Sequence, residues 1–148
     1  MTATSATRPP LTDDESIKEE IRISLAESAS AFKRGDIEGI LRAYAPDAVV
    51  LPPNSPAIRG ILAIRQLWTT LLTAGYRNAT LEFDRIQNWG DVAVVMGRYT
   101  VEISSIPCAQ AVDHGSYVGH WRRMEDGQFR ITLSVWSSDR WRHTTPAS

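Results

Sequence analysis

Residues 35–53, GDIEGILRAYAPDAVVLPP, constrain the fold of this chain more than any other stretch. Ile37, Ile40, Leu41 and Tyr44 recur at helical spacing and predict a short amphipathic helix. Gly35 ends the helix before it, and Asp36 caps this one. A Pro46-Asp47 turn leads into an apolar strand, residues 48–51, which stops at Pro52 and Pro53. A Pro-rich loop follows, residues 52–56.

The same reasoning extends outward. Thr12 and Glu15 form a capping box. The helix they open runs to Arg34, with Ile17, Ile21, Leu25, Ser28 and Phe32 on one face. Residues 60–75 predict a third helix, whose apolar stripe includes Ile61, Ile64, Leu67, Trp68, Leu71 and Leu72. Strands follow at residues 80–87 and 92–103, joined by an Asn88-Trp89-Gly90-Asp91 turn. A long loop is expected over residues 104–114. Residues 116–124 and 129–137 make a hairpin, with Asp126-Gly127 as its turn signal. Helix, helix, strand, helix and four strands predict an α+β domain, its helices packed on one face of a curved antiparallel sheet.

With 148 residues, one domain is expected, over residues 12–141, between loose tails at 1–11 and 142–148. Hydrophobic residues make up 43% of the chain and there are five tryptophans, enough for a sizeable core or pocket. A net charge of −1 argues against a nucleic-acid partner, which needs a basic stripe. No run approaches a membrane span, and residues 1–11 lack a signal-peptide core, so a cytoplasmic protein is expected. Cys108 is the only cysteine, which excludes an intrachain disulfide and reads as a gap filler. No His, Asp and Glu cluster has metal-ligand spacing, and neither a phosphate-binding glycine loop nor a nucleophile elbow occurs. No cofactor is implied.

Four segments in order resemble the nuclear transport factor 2-like superfamily, SnoaL-like and ketosteroid isomerase-like domains among them. They are residues 35–53, Gly60-Ile61-Leu62-Ala63-Ile64, the strand from Asp91 to Tyr99, and the closing hairpin with Trp121-Arg122-Arg123, Asp126-Gly127 and Trp136. The resemblance spans residues 14–140. It implies a cone in which three N-terminal helices and a concave sheet enclose an apolar pocket. Members include isomerases, cyclases, dehydratases and modules without chemistry, so the fold alone does not give the function.

Matching the isomerase residues gives mostly absences. The oxyanion tyrosine falls on Ser28, the catalytic base on Pro52, and the protonated oxyanion aspartate on Gly119. Steroid isomerase activity needs these groups and is not expected. Other matches keep useful side chains: Tyr44 coincides with a pocket tyrosine, Trp68 takes the place of another, and Trp136 matches a tryptophan at the pocket floor. Strand parity then points Tyr99, Val101, Ile103, Tyr117, Trp121, Thr132 and Ser134 inward. Asn54, just past the proline pair, is a further candidate contact.

Each inward aromatic is also explained as plain core. Together they predict an aromatic, weakly polar cavity for a small apolar or aromatic molecule. Tyr44, His114 and Asp113 are the candidate acid–base groups. His114 is expected near the pocket mouth, where an adjacent Asp113 would bias its tautomer. Neighbours along a strand point to opposite sides, which works against that pairing. His120 is expected to face outward with Arg122, and Glu82 and Asp84 to face solvent.

The last strand poses a conflict. Phe129, Ile131, Leu133 and Val135 form its apolar face, yet the resemblance points that face outward. Either a homodimer buries the outer sheet face, or the register is off by one. Two functions stay open: a cofactor-independent isomerase, cyclase or dehydratase, and a non-catalytic ligand-binding or dimerisation module. A titratable group inside the cavity separates them.

Overall fold

A computed structural model describes residues 13–105 and 109–140. Thr12, Cys108, His143 and the two predicted tails lie outside the described residues. The elements are α1 (Asp13–Arg34), α2 (Ile37–Leu41), β1 (Tyr44–Leu51), β2 (Ile58–Arg59), α3 (Ile61–Thr73), β3 (Tyr76–Trp89), β4 (Val92–Ser105), β5 (Ala109–Arg123) and β6 (Phe129–Ser138). They form the expected α+β cone: helices on one side of a curved, unclosed six-stranded sheet of order β2-β1-β6-β5-β4-β3.

The helices form for the reasons the sequence offers. Ile17, Ile21, Leu25 and Phe32 of α1 are buried at helical spacing, and α1 packs chiefly on β3 and α2. Asp36 caps α2 by accepting from the Gly39 N–H at 3.1 Å. The helix stops at Leu41 and Tyr44 opens β1, so Tyr44 belongs to the strand rather than to the helical face. Pro46 explains the early stop, because a proline cannot continue the hydrogen-bond ladder and pushes its predecessor into extended backbone.

The sheet is mixed rather than purely antiparallel. β1 runs parallel to β6, with Val50 opposite Ser134, and every other pairing is antiparallel. The predicted long loop is largely strand. β4 continues to Ser105 and β5 starts at Ala109, with Val101 paired to Asp113 and Ile103 to Ala111. Alanine, at positions 109 and 111, is a poor strand former. Cross-strand pairing extends the ladder in spite of it.

A β-bulge resolves the conflict over the last strand. Gly119 pairs with Ser134 and His120 with Leu133, but Trp121 pairs with Ile131. Thr132 is the extra residue, and parity reverses there. Phe129 and Ile131 therefore face the core, as periodicity demands. Ser134 and Trp136 also face inward, as the resemblance demands. Leu133 and Val135 face outward. Thr132 itself does not point inward: its hydroxyl donates to the His120 carbonyl at 3.1 Å and meets the His120 ring. A second bulge, at Asp84, lies between the Phe83–Gly97 and Arg85–Met96 pairs.

Candidate functional site on the inner sheet face

α1 and α3 pack mainly against the outer strands of the sheet, so the inner face of β4, β5 and β6 forms the interior of the cone. Its two ends differ. At one end Ala93, Val95, Trp121, Phe129 and Ile131 are buried among the residues of α1. At the other, Tyr99, Tyr117 and Trp136 are only half-buried.

Three glycines make room for aromatic rings on this face. Tyr117 sits opposite Gly97 and Tyr99 opposite Gly115. A Cβ at Gly97 would fall 3.0 Å from the Tyr117 hydroxyl. One at Gly115 would fall 3.0 Å from the Tyr99 hydroxyl and 1.8 Å from the Ser137 carbonyl oxygen. One at Gly119 would fall 3.0 Å from Trp121 Nε1. The two tyrosine rings thus lie over bare backbone of the neighbouring strand, an arrangement that supports strand glycines, while Trp121 lies beside Gly119 of its own strand.

Trp68 of α3 closes the interior from the helix side. Its ring stacks on Trp136, centroids 5.9 Å apart, and meets Phe32 edge-on at 5.7 Å. Trp68 Nε1 lies near the Tyr44 hydroxyl yet makes no hydrogen bond, and the Tyr117 hydroxyl is likewise buried without one. Burial pushes the Tyr44 hydroxyl well above the usual tyrosine range, and the Trp68 N–H offsets this only in part. Burial does the same for Tyr117, with the Asp84 carboxylate adding to it. Asp84 is solvent-exposed, as expected, although its bulge carries its charge within reach of this tyrosine.

The open end holds the charged group of the interior. Asp113 is 9% exposed, the single charged side chain in the buried set of the described residues. Its Oδ1 accepts from the Ser138 hydroxyl at 2.6 Å, and its Oδ2 faces the Tyr99 hydroxyl at 3.3 Å. Tyr99 also donates to the Ser137 carbonyl at 3.0 Å, so one proton is shared between two acceptors. Burial raises the Tyr99 pKa first, and the neighbouring Asp113 charge raises it further. A carboxylate flanked by two hydroxyls can take a proton from a bound molecule, while the tyrosine hydrogen-bonds an oxygen gaining charge.

The expected Asp113–His114 pair does not form. Both lie within β5 rather than at a loop end, so they point to opposite faces. His114 is exposed on the outer face, away from the interior, where its Nδ1 meets Asp139 at 3.0 Å and Arg98 reaches the same carboxylate at 2.7 Å. Asn54 is exposed, at φ 56°, the left-handed turn geometry that asparagine tolerates. Trp121, expected to line the pocket, is 1% exposed and is sealed core. Tyr44, Trp68, Tyr99, Tyr117, Ser134 and Trp136 do gather on the interior. Ser138 was missed, though it shares the inward parity of Ser134 and Trp136. Gly97 and Gly115 were missed because nothing local marks a strand glycine as a ring seat. Among the described residues no group of three His, Cys, Asp or Glu could hold a metal ion.

These features define a class. The SnoaL-like domain family matches residues 25–132, and the chain belongs to that family. Solved structures share the fold. A ketosteroid isomerase-like protein from Erwinia carotovora atroseptica is 17% identical with a TM-score of 0.74, covering 83% of this chain and 96% of that one. A nuclear transport factor 2-like superfamily protein from Salmonella enterica serovar Typhimurium is 16% identical with a TM-score of 0.74, covering 90% and 98%. An NTF2-like protein with a cystatin-like fold from Novosphingobium aromaticivorans is 19% identical with a TM-score of 0.70, covering 83% and 82%. No protein of curated function matches the chain.

Proposed function

We propose that this chain binds a small, flat, apolar or polyketide-like molecule on the inner sheet face and moves a proton on it, as an isomerase, cyclase or dehydratase. The observation that carries this reading is Asp113, a buried carboxylate held by Tyr99 and Ser138 where the interior is least sealed. Asp113 takes the proton and returns it. Tyr99 hydrogen-bonds the oxygen on which charge develops. Trp68, Trp136 and Tyr117 fix the apolar body by stacking. Such a step requires no cofactor, and it does not use the steroid isomerase residues, whose places hold Ser28, Pro52 and Gly119.

The active form in this proposal is a cytoplasmic homodimer joined through the outer sheet face. Met96, Val118 and Val135 form one apolar row there, and Val94 and Leu133 flank His120 in the next. Met96 is 45% exposed, a large apolar side chain that a partner would cover.

One observation favours the alternative, a non-catalytic binding or dimerisation module: the Phe32–Trp68–Trp136 stack fills part of the interior. A thermal-shift and tryptophan-quenching screen with aromatic, steroid and polyketide-like compounds tests for binding. Turnover of a hit by the native chain but not by Asp113→Asn, with binding retained in both, supports the enzyme. Binding without turnover in either selects the module.

A further inference from the structure

Two clefts lie beside α2 and the β5–β6 turn, and Tyr44 lines the first of them. One, of about 400 Å³, lies between α2, the start of β1, α3 and the start of β6. The other, of about 530 Å³, lies over the β5–β6 turn. Both are lined by Pro46 and Arg130, so they adjoin. Each is of a size that small-molecule sites have.

Their charge is positive in balance. Arg42, Arg65, Arg122, Arg123 and Arg130 line the two clefts, against the carboxylates of Glu38, Glu125 and Asp126. Three of the arginines are fixed in place. Arg65 pairs with Glu38. Arg123 bonds Asp91 and the Gly127 carbonyl and lies 4.6 Å above the Phe129 ring. Arg130 grips both oxygens of Asp126. The guanidinium groups of Arg42 and Arg122 make no hydrogen bond with the described residues, although Arg42 lies in the field of the Asp36 and Glu38 carboxylates.

Arg122 and Arg130 are also direct cross-strand partners. Like charges placed opposite each other on an antiparallel pair destabilise it. Asp126 relieves Arg130 but leaves the Arg122 guanidinium bare beside it. A fold with no use for that charge gains by losing it. An anion seated between the two would turn the repulsion into attraction, because guanidinium forks match phosphate and carboxylate oxygens.

We infer that these adjoining clefts are a binding site for a small molecule carrying two anionic groups, phosphate or carboxylate, held by Arg42 and Arg122 on either side of Arg130. The arginines that define it do not belong to the inner face, and its test does not depend on the chemistry proposed there.

The test uses the full chain, with inorganic pyrophosphate and citrate as probes, by calorimetric titration at low and moderate salt. Both probes are expected to bind saturably; preference for one tells phosphate from carboxylate. Arg42→Gln and Arg122→Gln should each weaken binding about tenfold or more, while Arg22→Gln on α1 should leave it unchanged. Without probe, Arg122→Gln should melt at a higher temperature than the native chain, since it removes the like-charge contact. No saturable binding of either probe overturns the inference. So does equal weakening by Arg22→Gln, which would mark diffuse attraction. A lower melting temperature for Arg122→Gln overturns it as well, because Arg122 would then be a structural residue.

Discussion

The two ends of one sheet face carry the same kinds of side chain and do different work. At the Trp121 end, aromatic and aliphatic groups meet α1 and are sealed from water. At the Trp136 end, equally aromatic strands stay half-open around a buried carboxylate. Aromatic content alone therefore does not distinguish core from candidate site. Sealing does: at the first end Trp121 is 1% exposed and Glu20 of α1 accepts from the Phe129 N–H at 3.2 Å, whereas the bulge in β6 turns Ser134, Trp136 and Ser138 into the second.

The sharpest way to break this comparison is truncation at each end. Trp121→Ala should cost about 3–5 kcal/mol of stability, the range for deleting a large buried aromatic. Trp136→Ala should cost about 1–3 kcal/mol, because its ring is already partly hydrated. Urea denaturation measures both. Equal losses would show that the Trp136 end is core too.

Gly115→Ala probes the backbone under the open end. The new methyl would sit 1.8 Å from the Ser137 carbonyl oxygen, so β5 and β6 must part. We expect a loss of about 1–3 kcal/mol. Amide exchange should quicken around Asp113 and Ser138. Gly119→Ala meets only a ring edge of Trp121 at 3.0 Å and should cost less. The reverse order would place the rigid part of the sheet at the wrong end.

Tyr44→Phe should change stability by no more than about 1 kcal/mol, since its hydroxyl makes no well-formed bond with Trp68. A shift in ligand affinity or turnover with unchanged folding marks Tyr44 as part of the site. A loss of folding instead marks it as structural.

The smallest effect lies on the outer face. Arg98 first, and His114 second, hold the Asp139 carboxyl below its ordinary 3.8. A carboxyl depressed on folding stabilises the native state above its unfolded pKa and loses that stabilisation as pH falls through the folded value. Melting temperatures measured from about pH 5 down to about pH 3 should fall slightly less steeply in Arg98→Gln than in the native chain. No difference would mean that solvent screens this exposed cluster entirely.

Much of the fold was legible because its signals are local. The spacing of Ile17, Ile21 and Leu25, the Asp36 cap and the Asp126-Gly127 turn each set their own element. The candidate site was legible only in part. Tyr99 and Tyr117 follow from strand parity once the resemblance sets the inward face, and Trp136 follows from the resemblance itself. Of the two readings of Asp113 and His114, the strand one holds: both lie within β5, whose geometry separates sequence neighbours. Ser138 and Tyr99 reach Asp113 across three strands, a juxtaposition that no spacing along the chain encodes.

By itself the sequence determined the helices, the prolines that end α2 and β1, the closing hairpin and the absence of the steroid isomerase groups. Those depend on propensity, capping and residue identity, which act over a few residues. Tertiary structure decided the bulge at Thr132, the parallel joining of β1 to β6, the sealing of Trp121 and the seating of Asp113. Each is a compromise over which face of a strand meets which neighbour. Such compromises are settled by packing and by satisfying buried hydrogen bonds across the whole sheet.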